Sequence, residues 1–181
     1  MTGGSSAGLG RLDTALDLIA EVPDFPEPGV LFRDLTPVFG DAAAFAAVVD
    51  ALAGTLDPTT ELLAAIEARG FLLAAAVGYA RGLGVTLIRK PGKLPSVDGR
   101  IDYALEYGTA TLELPAGTVP AGSRVAVIDD VLATGGTAAA TCALLGEVGA
   151  EVTGVSVVLE LAGLGGRERL PAVRVHALRV R

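Results

Sequence analysis

Two adjacent carboxylates, Asp129 and Asp130, stand between an apolar run and a loop of small residues, Ala133-Thr134-Gly135-Gly136-Thr137. The run Val125 to Ile128 reads as a buried parallel strand, and the Ala-rich stretch beyond the loop has helical character. Backbone N–H groups across 133–137 can converge on a phosphate, because two glycines permit close approach and unusual φ angles. The hydroxyls of Thr134 and Thr137 add donors, and a helix N-terminus favours the anion. Asp129 and Asp130 repel such a phosphate; they suit the hydroxyls of a polyol, the water shell of a metal or a developing cation. A phosphate site beside a carboxylate pair implies a sugar phosphate. The stretch is neither a Walker loop, which needs Gly-Lys-Ser/Thr, nor a GxGxxG dinucleotide fingerprint. The competing reading is an ordinary strand–turn–helix with two solvated acids.

Three further motifs carry chemistry. Ile66-Glu67-Ala68-Arg69-Gly70-Phe71 follows a predicted strand and opens a helix, so helix amides, a small residue and an arginine are available to a second anionic group. Arg89-Lys90-Pro91-Gly92-Lys93 gathers three cations within five residues, a set suited to neutralising a diphosphate. In Asp24-Phe25-Pro26-Glu27-Pro28-Gly29-Val30-Leu31-Phe32-Arg33-Asp34, prolines and a glycine constrain the backbone and Phe32 offers a flat face to a heterocycle. Singly these read as an N-cap, a solvated loop and a packed proline turn. Their joint occurrence with the acid-pair loop argues against coincidence.

The elements that must position these groups follow from periodicity. Leu62–Ile66, Val85–Ile88, Val125–Ile128 and Val152–Leu159 read as buried strands, with helices over 71–83 and 136–148 between them. Alternation of strand and helix predicts an α/β fold with a doubly wound, mainly parallel sheet, whose ligands sit at the C-terminal strand edge. The charged residues of three motifs, Glu67 to Gly70, Arg89 to Lys93 and Asp129-Asp130, follow such strand ends. Ahead of them, Leu9, Leu12, Leu16 and Ile19 share one helical face, and Asp41 is placed to cap a helix burying Phe45, Val48, Val49 and Leu52. Residues 1–8 are Gly/Ser-rich and expected to be disordered. The polar stretch from Pro91 to Glu106 is too long for a simple connection and reads as a mobile functional loop. Gly149 suits a helix C-terminus.

Composition narrows the function classes. The chain has 181 residues, 51% hydrophobic and 19% charged, which fits one folded domain with a substantial core. A net charge of −7 argues against a broad nucleic-acid face. No apolar run approaches a membrane span, and Met1–Gly10 lacks the pattern of a secretory signal. With one cysteine (Cys142) and one histidine (His176), a disulfide framework and a His/Cys metal site are both excluded by inventory. Cys142 reads as a small helix hydrophobe and His176 as a strand side chain. A cytoplasmic location is the simplest expectation.

Over residues 9–170 the sequence resembles the adenine phosphoribosyltransferases, a branch of the type I phosphoribosyltransferases. The acid-pair loop matches the superfamily's signature for phosphoribosyl pyrophosphate (PRPP). The Phe-Pro-x-Pro-Gly-Val-x-Phe-Arg-Asp segment and Leu105-Glu106-Tyr107-Gly108 match the adenine branch. The resemblance implies the type I fold with a small N-terminal hood (about 9–40) and a flexible flap (about 91–107) on a single domain spanning 9–181. It also implies transfer of phosphoribose from PRPP to N9 of adenine, yielding AMP and pyrophosphate, with Mg²⁺ held mainly by PRPP. Asp129 and Asp130 meet the ribose, and Ala133, Thr134, Gly135, Gly136 and Thr137 the 5′-phosphate. Glu67, Ala68, Arg69, Arg89, Lys90 and Lys93 surround the pyrophosphate, and Leu31, Phe32 and Arg33 the adenine. Glu106 is the proton-transfer residue and Tyr107 its flap neighbour. A homodimer is implied as well. Two other functions compete with this reading: a PRPP-sensing regulator, for which the chain has no spare length or basic face, and transfer to hypoxanthine, guanine or xanthine, against which the hood motif argues. Departures from the family are Ala65, where glycine is common, the flap interior 96–102, and the tail from Pro171.

Overall fold

The computed structural model describes residues 4–104, 108–170 and 172–181. The chain divides into two compact units, Met1–Ala51 and Leu52–Arg181.

The first unit contains α1 (Gly4–Leu16), β1 (Ala20–Pro23), β2 (Leu31–Asp34), α2 (Thr36–Gly40) and most of α3 (Ala42–Thr55). Helix α1 starts at Gly4, inside the segment expected to be disordered, and ends at Leu16, which leaves Ile19 outside it. The proline-rich stretch is the turn of an antiparallel hairpin rather than plain loop, with Ala20 opposite Asp34 and Pro23 opposite Leu31. Gly29 adopts φ 87° there, and its amide donates to Asp24 Oδ1 at 2.7 Å. Asp41 caps α3 as expected, accepting from the Ala44 amide at 2.8 Å. Val48, Val49 and Leu52 are buried.

In the second unit β3 (Leu62–Ile66), β4 (Gly84–Ile88), β7 (Arg124–Leu132), β8 (Glu151–Glu160) and β9 (Val175–Val180) form one five-stranded sheet in the order β4-β3-β7-β8-β9, every pair parallel. Helix α4 (Arg69–Arg81) links β3 to β4, and α5 (Gly136–Glu147) links β7 to β8. These crossovers run in opposite directions from the β3–β7 pair, so right-handed connections place the helices on opposite faces. The carboxyl ends of β3 and β7 therefore flank a topological switch point, where ligands of such sheets bind. Continuous apolar runs fit strands covered on both sides: Leu63, Ala64, Ala65, Val125, Val127 and Ile128 are all buried.

The structure differs from two sequence expectations. The strand read as Val125–Ile128 continues to Leu132, so Asp129 and Asp130 lie within β7, Asp129 opposite Val157 and Val131 opposite Leu159. Ladder bonds to β8 outlast the apolar run, because polar side chains are tolerated near a strand's ligand-facing end. The stretch read as a mobile loop from Pro91 is largely a β-hairpin, β5 (Val97–Ala104) against β6 (Thr109–Pro115). Gly99, Ile101 and Tyr103 turn inward while Arg100, Asp102 and Ala104 stay exposed. Gly99 lies where a Cβ would stand 2.7 Å from Leu144 Cδ1, so the hairpin packs directly on α5. Glu106 and Tyr107, expected in the flap, lie outside the described residues. Two 3₁₀ turns, Ala162–Leu164 and Gly166–Arg169, follow β8. Among the described residues no helix is long and apolar enough to cross a membrane.

Candidate phosphoribosyl site

The loop after β7 is shaped by close packing from behind. Gly135 adopts φ 79° and caps α5. A side chain there would run into the Gly166 carbonyl, with Gly166 Cα at 2.9 Å. A side chain at Gly166 would in turn strike the Ala133 carbonyl and stand 3.0 Å from Gly135 N. Two backbone segments thus touch without intervening side chains, which is why glycine occupies both positions. Gly166 is held by its neighbour: Arg167 grips the buried Glu160 through Nε (3.0 Å to Oε1) and Nη2, while Nη1 donates to Val175 O at 2.7 Å. In front of the loop, Asp129, Ala133, Thr134, Gly135, Gly136 and Thr137 help line a cavity of about 90 Å³. The first-turn amides of α5 have no intrahelical acceptor and carry the positive end of the helix dipole. Such an arrangement suits a small anion.

The acid pair is asymmetric. Asp130 is buried, and its Oδ2 lies 2.7 Å from Arg69 Nε. Asp129 Oδ1 accepts the Asp130 amide at 2.9 Å. Burial, and then the neighbouring Asp130 charge, push the Asp129 carboxyl well above the usual carboxylate range. Arg69 pairs directly with Asp130 and offsets the Asp129 charge less than burial and Asp130 oppose it, so Asp129 gains more from positive charge arriving in the cavity. Gly70, the second residue of α4, permits the approach of that helix to β7. A Cβ there would stand 2.8 Å from Ile128 O and 3.2 Å from Asp129 Oδ1.

At the end of β3, Ala68 precedes α4 and the Glu67–Ala68 peptide is cis. Glu67 accepts from the Lys90 amide at 2.9 Å and from both Arg89 Nε and Nη2 at 3.3 Å. Burial works to raise the Glu67 carboxyl, but the Lys90 amide and the Arg89 guanidinium outweigh it and hold the group below its ordinary value. Arg89 also lies over the Phe71 ring, 5.7 Å from its centroid. Lys90 and Lys93 are exposed. The structure thus gathers Glu67, Ala68, Arg69, Arg89 and Lys90 around the α4 N-terminus, with Arg69 and Arg89 each paired to a carboxylate. The basic loop is tied to the hairpin by Glu113, whose backbone exchanges bonds with Arg89 at 3.0 and 2.7 Å and whose Oε2 accepts from Gly92 N at 3.2 Å.

Leu31, Phe32 and Arg33 sit together on β2 of the first unit. Phe32 packs edge-to-face with Phe25, ring centroids 5.1 Å apart, and Arg33 pairs with Glu21. His176 lies on β9 and Cys142 on α5, as expected; burial pushes the Cys142 thiol up to about 11.

Sequence reasoning missed Gly166, Arg167, Glu160, Glu113 and Tyr103. Tyr103 was legible from the alternation Gly99, Ile101, Tyr103 against Asp98, Arg100, Asp102. Glu160 and Arg167 had no local signal, since their pairing is set by where the chain returns after β8.

Residues 40–179 match the phosphoribosyl transferase domain family. The chain is 59% identical over 168 residues to an adenine phosphoribosyltransferase of Saccharopolyspora erythraea, covering 93% of this chain and 91% of that one. The crystal structure of adenine phosphoribosyltransferase from Rhodothermus marinus superimposes with a TM-score of 0.90 at 41% identity, covering 95% of this chain and 99% of the other. That of the Saccharomyces cerevisiae enzyme, complexed with an imino-altritol bisphosphate and adenine, gives 0.86 at 32% identity, covering 96% and 99%. With the signature loop, the switch-point geometry and this similarity together, the chain belongs to the adenine phosphoribosyltransferases.

Proposed function

We propose that this chain transfers the phosphoribosyl group of PRPP to N9 of adenine, releasing AMP and pyrophosphate in purine salvage. The observation that carries the reading is Asp129 sharing one cavity with the phosphate loop, a cradle for a ribose 5-phosphate. Loss of pyrophosphate from the anomeric carbon places positive charge on the ribose ring. Asp129, half-buried beside Asp130, gains most from that charge, so its stabilisation is larger in the transition state than in the ground state. Arg69 offsets Asp130 and fixes its orientation. The α4 amides, Lys90 and Lys93, with Arg69 and Arg89, receive the diphosphate. Such a displacement needs no protein nucleophile, which agrees with a chain poor in histidine and cysteine.

Among the described residues no group of three or more His, Cys, Asp or Glu side chains stands together. With Asp130 engaged by Arg69, Asp129 is the carboxylate left to face a metal. This donor set fits Mg²⁺ carried on the diphosphate, since Mg²⁺ commonly takes one or two carboxylates plus phosphate oxygens and water. Held there beside Asp129, the ion would supply charge neutralisation for the leaving pyrophosphate. Leu31, Phe32 and Arg33 frame the adenine. Glu106 exchanges a proton with the purine, with Tyr107 its neighbour in the flap. The enzyme is cytoplasmic and a homodimer; the outer face of α4, with Leu72 and Tyr79 54% and 93% exposed, supplies an apolar surface for pairing.

Product analysis with PRPP, Mg²⁺ and each purine base tests the reading. AMP forms from adenine, with hypoxanthine and guanine slower by orders of magnitude, because a site hydrogen-bonded to one edge leaves groups unpaired with another. Comparable rates with hypoxanthine refute the adenine assignment.

A further inference from the structure

Tyr103 is the inward-facing residue of β5 nearest the described end of that strand. Its ring lies against the first residue of α5, with Tyr103 Cδ2 3.6 Å from where a Cβ on Gly136 would stand. Its phenol oxygen is 3.1 Å from Thr137 Oγ1. The ring is partly buried, packed against the core that α5 shares with the hairpin. The phenol therefore reaches the back of the phosphate loop from an element that sequence reading took for a mobile loop.

The direction of this hydrogen bond is set by the ligand. Between two hydroxyls either oxygen can donate. A bound phosphate is an acceptor only, so a Thr137 hydroxyl contacting it must give its proton to the phosphate. The Thr137 oxygen then faces Tyr103 with a lone pair, and the phenol must be the donor. In the opposite orientation the Thr137 proton points at Tyr103 and is lost to the ligand. We propose that Tyr103 is a positioning residue of the phosphate site: its phenol donates to Thr137 Oγ1 and aims the Thr137 proton at the 5′-phosphate. The chain Tyr103 O–H to Thr137 O–H to phosphate is also polarised in one direction, which strengthens each bond. Binding of the sugar phosphate thereby locks the hairpin to α5 through a bond that either partner can reverse when the loop is empty.

This inference rests on residues 133–137 holding the 5′-phosphate, and the test separates the two. Equilibrium binding of ribose 5-phosphate is measured for the full chain and for Tyr103→Phe, Thr137→Val and the double variant, with melting temperatures recorded for each. Tyr103→Phe keeps the ring and its packing, so only the hydrogen bond goes. It is expected to weaken ribose 5-phosphate by about 3–10-fold, the range for one intramolecular hydrogen bond, and to raise KM for PRPP in step while leaving KM for adenine unchanged. In the Thr137→Val background the same change is expected to have no effect, since there is no hydroxyl left to aim. Unchanged binding by Tyr103→Phe overturns the proposal, and so does an equal loss in the presence and absence of the Thr137 hydroxyl. Unchanged binding by Thr137→Val overturns the assignment of the loop itself.

Discussion

Gly166 touches no substrate in the proposed reaction and lies about thirty residues beyond the phosphate loop, yet Gly166→Ala is expected to damage PRPP binding selectively. The added methyl meets backbone on two sides, the Ala133 carbonyl and, at 3.0 Å, Gly135 N. Neither is the end of a flexible side chain, so the relief must come from moving the loop or the 3₁₀ turn. The turn is held by the Arg167–Glu160 grip and by Leu170, buried in the core. The loop, with a cavity in front of it, is the freer of the two. An ordinary contact at this spacing needs a shift of several tenths of an ångström to about 1 Å, and a misplacement of that size costs up to about 10²-fold in a positioned reaction. KM for PRPP is therefore expected to rise about 10–100-fold with little change in KM for adenine. Overpacking of this kind costs about 1–3 kcal/mol of stability, or a few degrees in melting temperature per kcal/mol at this chain length. Initial rates with each substrate varied, alongside a thermal melt, measure both effects. A Gly166→Ala enzyme with wild-type KM for PRPP would show that the turn does not set the loop, and a parallel rise in KM for adenine would show general disruption instead.

Asp129→Asn is expected to slow turnover more than it weakens PRPP binding, while raising the melting temperature at neutral pH. The Asp129 carboxyl is raised in the folded chain, so its ionised form opposes folding; the wild type regains that stability as pH falls through the folded value towards the unfolded one near 3.9. The gap in melting temperature between variant and wild type should close on acidification, and a gap constant from pH 8 to 4 contradicts this origin. Arg167→Ala leaves the buried Glu160 carboxylate without its main partner and should cost about 1–3 kcal/mol in urea unfolding, with Glu160→Gln milder; equal losses would argue against an unpaired charge as the cause. Glu106→Gln should lower the single-turnover rate by about 10²–10⁴-fold, the range for a positioned acid or base, and a wild-type rate would remove Glu106 from the proton transfer.

Much of the site was legible because its signals are local. The order apolar run, acid pair, Gly-Gly loop and Ala-rich helix lies within about fifteen residues, where strand burial, left-handed backbone and helix-end amides leave marks in the sequence itself. The same holds for Asp41 capping α3, for the helix opened by Arg69-Gly70, and for the alternation that implied a parallel sheet. The hairpin after Pro91 resembles a polar loop in sequence because polar residues on its exposed face mask the two-residue alternation on the other.

What the sequence could not carry was pairing across distance. The polar order of the motifs says nothing about which cation meets which acid. Only the strand order β4-β3-β7 brings Arg69 to Asp130 and leaves burial and the Asp130 charge dominant at Asp129, and only the register of the Arg89–Glu113 bridge ties the basic loop to the hairpin. Gly166 reads as one more glycine in a Gly-rich turn until the return of the chain after β8 presses it against Ala133 and Gly135. Residue types and local spacing determined which chemistry the chain holds; the sheet topology decided which groups share it, because burial and charge compensation depend on neighbours that only folding supplies.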